Sequence, residues 1–287
     1  MIGIDWGTSS FRAYRLVRGQ VTDRLERPTG ILHVSNGGFA DVLRQAIGPW
    51  LAQGERHVLM SGMVGSRQGW LEAPYCPCPA DTQALAQSLQ PVAFAGASVL
   101  IVPGLSAADA TGTPEVMRGE ETQIIGADTE GLVCLPGSHA KWARVRDGSI
   151  TGFETYLSGE LFAALRSSTI LGRMMPDAPH NDTAFDAGLD RAAAPGHLLH
   201  HLFGVRSLGL LGHLADGDSA AYLSGLLIGT EVRAAMPRPA AVTLLGAPTL
   251  CARYARAIDR AGGSAHIGPS DCAAAGLARI GELTPWP

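Results

Sequence analysis

A short strand, a small polar loop, a second strand, a glycine turn and a third strand occur in that order twice in this chain. In the first copy Ile2-Gly3-Ile4 is the apolar strand and Asp5-Trp6-Gly7-Thr8-Ser9-Ser10 the loop. Phe11, Ala13, Tyr14 and Leu16 mark the second strand, Arg18-Gly19 the turn and Gln20-Val21-Thr22 the third strand. In the second copy Leu132-Val133-Cys134-Leu135 leads into Pro136-Gly137-Ser138-His139. Lys141 to Val145 returns, Asp147-Gly148 turns, and Ser149-Ile150-Thr151 continues. The loop glycine precedes the turn glycine by twelve positions in one copy (Gly7 to Gly19) and by eleven in the other (Gly137 to Gly148). The duplication predicts two similarly built halves, residues 1–128 and 129–287, with the boundary at Ala127-Asp128-Thr129. A unit this short, present twice, does not stack into a solenoid, which repeats several units of about 20–50 residues.

The segments around the copies mix helical and strand periodicities. Phe39, Val42, Leu43, Ala46, Ile47 and Trp50 recur at helical spacing and predict an amphipathic helix over 39–51. His57-Val58-Leu59-Met60 and Val99-Leu100-Ile101-Val102 predict buried strands, and residues 61–70 a glycine-rich loop. Further helices are predicted over 159–171, 220–235 and 249–261. The last follows a strand at 241–245 and the turn Gly246-Ala247-Pro248, and Gly262-Gly263 ends it. Residues 177–195, with their Pro, Gly and Asp, read as irregular. Strands and helices in both halves give an α/β fold, mixed sheets flanked by helices.

At 287 residues the chain is long enough for two such domains, and 46% hydrophobic against 17% charged residues supply a core for each. Disorder requires the opposite balance. The 22 Lys+Arg against 26 Asp+Glu leave a net charge of −4, without the basic surplus by which a general nucleic-acid binder displaces counterions. Met1-Ile2-Gly3-Ile4-Asp5 has no basic region followed by an apolar one, and no apolar run approaches about 18 residues, so neither a secretion signal nor a membrane span is expected. Five scattered Cys fit a reducing compartment. The expectation is a cytoplasmic protein with no nucleic-acid or membrane partner; a homodimer is left open. Every basic side chain is Arg except Lys141, a compact ammonium beside the second loop.

The two small-residue loops carry the first chemical signal. A strand feeding Gly7-Thr8-Ser9-Ser10 exposes backbone N–H groups and short hydroxyls where a phosphate can approach. Asp5, at the strand end, has the hard oxygen that holds Mg²⁺ through water. The competing reading of this loop is an ordinary turn with a solvated Asp. It is not a P-loop, because Gly-x4-Gly-Lys-[Ser/Thr] is absent, and not a dinucleotide fingerprint, because a hairpin follows instead of a helix. Gly137, Ser138 and Lys141 repeat the build with added positive charge. Two such loops, one per half, point to a nucleotide in a cleft between the halves, and the Gly246-Ala247-Pro248 turn lets a flat base or ribose approach the backbone.

That ordered set resembles the actin, hexokinase and Hsp70 superfamily of ATP-binding folds (ribonuclease H-like), with two phosphate loops and an adenosine loop. The resemblance spans essentially the whole chain. More closely, Asp5-Trp6-Gly7-Thr8-Ser9, Ser61 to Trp70 with Ala73-Pro74-Tyr75 and Cys78-Pro79-Ala80, Met117 to Gln123, and Leu135 to Trp142 resemble the 2-dehydro-3-deoxygalactonokinase family. The resemblance implies a two-domain actin-like ATPase, with ATP–Mg²⁺ in the interdomain cleft. It implies phosphorylation of the 6-hydroxyl of 2-dehydro-3-deoxy-D-galactonate, in galactonate breakdown. Ser66-Arg67-Gln68-Gly69-Trp70 is its most specific motif.

A sugar acid agrees with that motif. Arg67 can make a bidentate contact to a carboxylate, Ser66 and Gln68 can hydrogen-bond hydroxyls, and Trp70 or Tyr75 offers a flat wall. The competing reading pairs Arg67 at the surface and buries Trp70 in the core. Phosphoryl transfer also needs a carboxylate to accept the hydroxyl proton. Similarity to glycerol kinases implies Glu120, and similarity to exopolyphosphatases implies Glu121; Asp109 is the next candidate. Both Glu residues would also suit a helix start electrostatically.

Other features carry ordinary readings. Cys76-Pro77-Cys78 lacks a second Cys/His pair at zinc spacing. His200-His201 falls on a predicted helix, and Ser138-His139 lacks a Gly-x-Ser-x-Gly elbow. Two other functions remain open at this level, an exopolyphosphatase-like phosphohydrolase and a non-catalytic sugar-acid sensor.

Overall fold

A two-residue hairpin of type I′ takes positive φ at both central residues, which matches the turn to the twist of its strands. In the computed structural model, which describes residues 1–35 and 37–286, both duplicated turns do this. Arg18 and Gly19 have φ of 50° and 75°, Asp147 and Gly148 of 52° and 70°.

The first copy becomes strands β1 (Ile2–Trp6), β2 (Phe11–Val17) and β3 (Gln20–Arg27). Helix α1 (Phe39–Ala52) and strands β4 (His57–Ser61) and β5 (Tyr75–Pro77) follow, then α2 (Thr82–Gln87), β6 (Gln90–Val92), β7 (Ser98–Ile101), β8 (Gly104–Ala108), β9 (Pro114–Met117) and α3 (Glu120–Ala127). The second copy becomes β10 (Gly131–Leu135), β11 (Ala140–Arg146) and β12 (Ser149–Tyr156). After it come α4 (Ser158–Ser168), α5 (Asp182–Ala193), α6 (Leu198–Leu210), α7 (Ser219–Ala235), β13 (Ala241–Leu244), α8 (Pro248–Arg260), β14 (Ser264–Ile267) and α9 (Cys272–Leu283).

The duplication extends to topology. One sheet runs β3-β2-β1-β4-β7-β6 and the other β12-β11-β10-β13-β14. Leaving aside the edge strand β6, each is a three-strand meander whose first strand is followed by two more. β1 pairs with β4 and β4 with β7 in parallel, as β13 does with β14. A small third sheet, β5-β8-β9, has no counterpart in the sequence reading.

Contacts divide the chain into two compact units: Met1–Val133 with Ala143–Phe153 and Gly268–Pro287, and Cys134–Trp142 with Glu154–Ile267. These differ from a single cut at residues 128 and 129 in the segments that return to the first unit. The returning C-terminal helix α9 is held there by glycines. A Cβ on Gly126 of α3 would fall 1.9 Å from the Cys272 carbonyl oxygen, and one on Gly276 of α9 would fall 1.9 Å from that of Thr122, so the two helices pack backbone to backbone. The core of this unit gathers Ile2, Ile4, Val58, Met60 and Ile101 around Trp6, which meets Phe11 and Phe39 edge-on at 4.9 and 5.4 Å.

In the second unit residues 177–195 are not irregular throughout. Asn181 caps α5 by accepting from Thr183 N at 2.9 Å and Ala184 N at 3.3 Å. Ala184, Phe185, Gly188 and Leu189 form its buried face. Gly188 and Gly225 let α5 and α7 meet closely; a Cβ on either would fall 2.1 or 2.0 Å from a carbonyl oxygen of the other helix. The helix read over 159–171 ends earlier, where Thr169 turns extended, and a separate turn covers Gly172–Met174. Among the described residues no helix is long and apolar enough to cross a membrane.

Candidate active site

In the first unit, the loop after β1 is tied at both ends. Gly7 N donates to Ser10 O at 2.9 Å, while Ile31 N and Leu32 N donate to the carbonyls of Gly7 and Thr8 at 3.0 and 3.3 Å. Gly30 lies so close that a Cβ there would fall 2.3 Å from Thr8 O. Only a glycine allows this bracing. The result is a rigid loop whose Thr8 and Ser9 remain exposed.

Asp5 leaves the end of β1 beside this loop. Its Oδ2 accepts from Arg12 Nη1 at 3.3 Å, and its Oδ1 faces Gly62, where a Cβ would be 3.3 Å away. Burial raises the Asp5 carboxyl above its usual range, and the adjacent Arg12 lowers it in part. Gly62 and Gly119 both take positive φ, 92° and 105°. A Cβ on Gly119 would sit 3.1 Å from Gly62 Cα, so the β4 end and the α3 start meet over Asp5 with no side chain filling the gap.

α3 begins at the paired carboxylates, which take different environments. Glu121 is fully buried; its Oε2 accepts from Gly119 N at 2.6 Å and its Oε1 from Thr122 Oγ1 at 2.9 Å. Burial, with the neighbouring Glu120 charge, pushes its carboxyl up to about 8. Glu120 is partly exposed, and its Oε2 accepts from Arg118 N at 3.0 Å. Asp109, the third candidate, is taken up by its own loop: its Oδ1 accepts from Thr111 N, Thr111 Oγ1 and Thr113 N at 2.7–2.9 Å.

The 61–70 loop contributes differently from its sequence. Ser66 Oγ donates to Met63 O at 2.8 Å. Arg67 is 85% exposed and paired with Glu72 at 2.8 Å, and Gln68 is exposed. Trp70, half-buried, stacks on Phe39 at 6.2 Å and packs against the core. Tyr75 is the accessible ring, and the guanidinium of Arg118 lies over it at 4.4 Å.

The second unit builds its loop by the same device. Gly159, in the first turn of α4, is so close that a Cβ would fall 2.3 Å from Gly137 O, and Glu160 N donates to Ser138 O at 3.0 Å. His139 is hydrogen-bonded to Glu160. Ser138 is exposed. Lys141 lies on β11 rather than in the loop; it is buried and donates to Thr155 Oγ1 at 3.0 Å. The Gly246 turn, φ 147°, approaches Pro136 of the loop, with a Cβ there 3.5 Å from Pro136 O; Gly246 and Ala247 are exposed. A cavity of about 90 Å³ adjoins, lined by Gly137, Gly159, Leu227, Leu250, Arg253 and Tyr254 among others. Buried Glu231 holds the lining residue Tyr254 in place, accepting from its OH at 2.9 Å and from Trp142 Nε1 at 2.8 Å. Burial raises the Glu231 carboxyl.

Gly159, Glu231 and Arg253 belong to none of the motifs singled out in the sequence, and Arg118, inside the Met117 to Gln123 motif, has no role assigned to it there. Each matters through what packs on it, a signal that no short spacing encodes.

The 2-keto-3-deoxy-galactonokinase family model matches residues 5–280. The 2-dehydro-3-deoxygalactonokinase of Escherichia coli (strain K12) is 34% identical over 267 residues, 91% of this chain and 90% of that protein. The Rhizobium meliloti (strain 1021) protein described as a probable 2-dehydro-3-deoxygalactonokinase is 34% identical over 298 residues, 99% of this chain and 97% of its own. The crystal structure of a Sinorhizobium meliloti candidate 2-dehydro-3-deoxygalactonokinase superposes with a TM-score of 0.89 at 32% identity, covering 98% of each chain. The Clostridium difficile activator of 2-hydroxyisocaproyl-CoA dehydratase, solved with bound ADPNP, shares the fold at TM-score 0.52 and 12% identity, over 98% of this chain and 94% of its own.

Proposed function

We infer the function of this chain from one premise: it belongs to the 2-keto-3-deoxy-galactonokinase family. It is an ATP-dependent sugar-acid kinase of galactonate catabolism, with the mixed α/β architecture of the actin, hexokinase and Hsp70 ATPases. The reaction transfers the γ-phosphoryl group of ATP to the 6-hydroxyl of 2-dehydro-3-deoxy-D-galactonate.

We propose that one ATP in an interdomain cleft is held by the Gly7-Thr8-Ser9 loop of the first domain and the Gly137-Ser138 loop of the second, with Lys141 adding positive charge behind the latter. The adenosine lies against Gly246-Ala247 and the Leu250–Tyr254 cavity. Supporting this, both loops are rigid, braced by Gly30 and Gly159, and leave short hydroxyls exposed. Rigid donors suit a transition state in which charge spreads over phosphate oxygens.

Among the described residues the carboxylate beside Gly62 is that of Asp5. It would hold Mg²⁺ brought in with ATP, which suits an ion that keeps several waters and takes one or two carboxylates. When bound, Mg²⁺ neutralises charge on the transferring group. Ser66 and Gln68 orient the sugar acid's hydroxyls. Glu120 accepts the proton of the 6-hydroxyl as its oxygen bonds to the γ-phosphorus and the bond to the β–γ bridging oxygen breaks, releasing ADP.

The observation that carries this reading is the convergence of Asp5, Gly62 and Gly119 at the start of α3, one residue from Glu120. ADP release, coupled to a spectroscopic readout over a panel of 2-keto-3-deoxy acids, tests it. ADP formed only with a sugar acid is expected; phosphate released without any acid would show a hydrolase, and neither, with thermal stabilisation by ligand, a sensor.

A further inference from the structure

Resting on that sugar-acid reading, we propose that Arg118, and not Arg67, is the residue that holds the substrate's carboxylate. Arg118 immediately precedes the Gly119 turn and is only 8% exposed. Its Nη2 donates to Ala73 O at 2.7 Å, and its guanidinium carbon is 4.4 Å from the Tyr75 ring centroid. Nε and Nη1 have no hydrogen-bond partner among the described residues. Guanidinium groups stay charged at every accessible pH. A carbonyl and an aromatic face answer part of its charge. The remainder calls for an anion, because a buried charge without a partner is strongly unfavourable.

The surroundings suit a carboxylate. Gly65 lies beside Nη1, and a Cβ there would fall 3.1 Å from it. A glycine at that position puts no side chain over the nitrogen, and because Nε and Nη1 are buried, binding of the acid requires the loop carrying Gly65 to move off the guanidinium. The backbone N–H of Arg118 already donates to Glu120 Oε2. One residue therefore holds the acid end of the substrate with its side chain and the proposed base with its main chain. Arg67 offers no comparable site, since Glu72 already supplies its carboxylate in water-exposed surroundings. Such a surface pair adds little on its own.

Steady-state kinetics of the parent, Arg118→Gln and Arg67→Gln test the assignment, with ATP and the sugar acid varied in turn. Arg118→Gln is expected to raise KM for the acid about 100-fold or more, as losing one partner of a buried charge pair does, with KM for ATP unchanged. Arg67→Gln is expected to shift it by less than about fivefold. The parent is expected to prefer the acid over its neutral primary amide and Arg118→Gln to lose that preference, which a merely structural role would not produce. A folded Arg118→Gln enzyme with the parent's acid KM and acid-to-amide preference would overturn the proposal. If that variant does not fold, a crystal of the unaltered protein with the sugar acid decides. A carboxylate in hydrogen-bond contact with Arg118 Nε or Nη1 supports the anchor, and one on Arg67 or elsewhere refutes it. A parent that turns over no sugar acid would remove the kinase reading and the anchor together; a parent that does, with an indifferent Arg118, removes only the anchor.

Discussion

Glu120 and Glu121 are chemically identical neighbours that packing has made into different groups. Glu121 holds its carboxyl near 8 because it is buried beside a second carboxylate. Its folded value lies above the free value of 4.5, so over that interval the folded protein binds a proton that the unfolded chain releases. Stability from this group is therefore present below the free value and lost as pH rises through about 8. The melting temperature is expected to fall from pH 5 to pH 8, and Glu121→Gln, an uncharged isostere, to flatten that slope. Some slope should persist, since burial also raises Asp5 and Glu231. An unchanged slope in the variant would show that Glu121 is ionised in the folded state. Glu120→Gln is expected instead to lower kcat by about 10²–10⁴-fold, the usual worth of a positioned base, with little change in KM for ATP; near-parental turnover would place the base elsewhere. The acidic pair was legible in the sequence, but which member is buried was not. That depends on α9, which begins about 150 residues later and packs on the same helix. Arg118 was illegible for the same reason, because an arginine before a glycine turn has no local mark of burial.

At the scale of elements, α3 owes its position to α9. Gly276 and Gly126 allow the two backbones to touch, so Gly276→Ala must push the helices apart. Overpacking of this kind costs about 1–3 kcal/mol, sometimes more. Urea unfolding should show that loss, and because Glu120 rides on α3, kcat should fall with it. A variant of parental stability and turnover would mean that α3 is positioned by something else. Local chemistry made many elements readable: the Arg18-Gly19 and Asp147-Gly148 turns, the amphipathic α1, the Pro248 start and Gly262 end of α8. It hid α5, where Gly188 and the acidic residues resemble a loop. That glycine serves the contact with α7, and Asn181 is the cap that could have revealed the helix.

Over the whole molecule, duplication is the organising fact. Each half begins with a meander whose first loop is short, polar and braced from one side by a glycine, Gly30 in one case and Gly159 in the other. The repeat was visible in sequence because hairpin turns and small-residue loops are local. The return of residues 268–287 to the first unit was not, because nothing near the chain end states its partner. The central claim is that both loops serve one nucleotide. A crystal structure with Mg²⁺ and a non-hydrolysable ATP analogue tests it most directly. The expected result is a single triphosphate whose oxygens accept from backbone N–H groups of Thr8 or Ser9 and of Gly137 or Ser138, each at about 3 Å. A nucleotide held by one loop alone, or bound away from both, would contradict it.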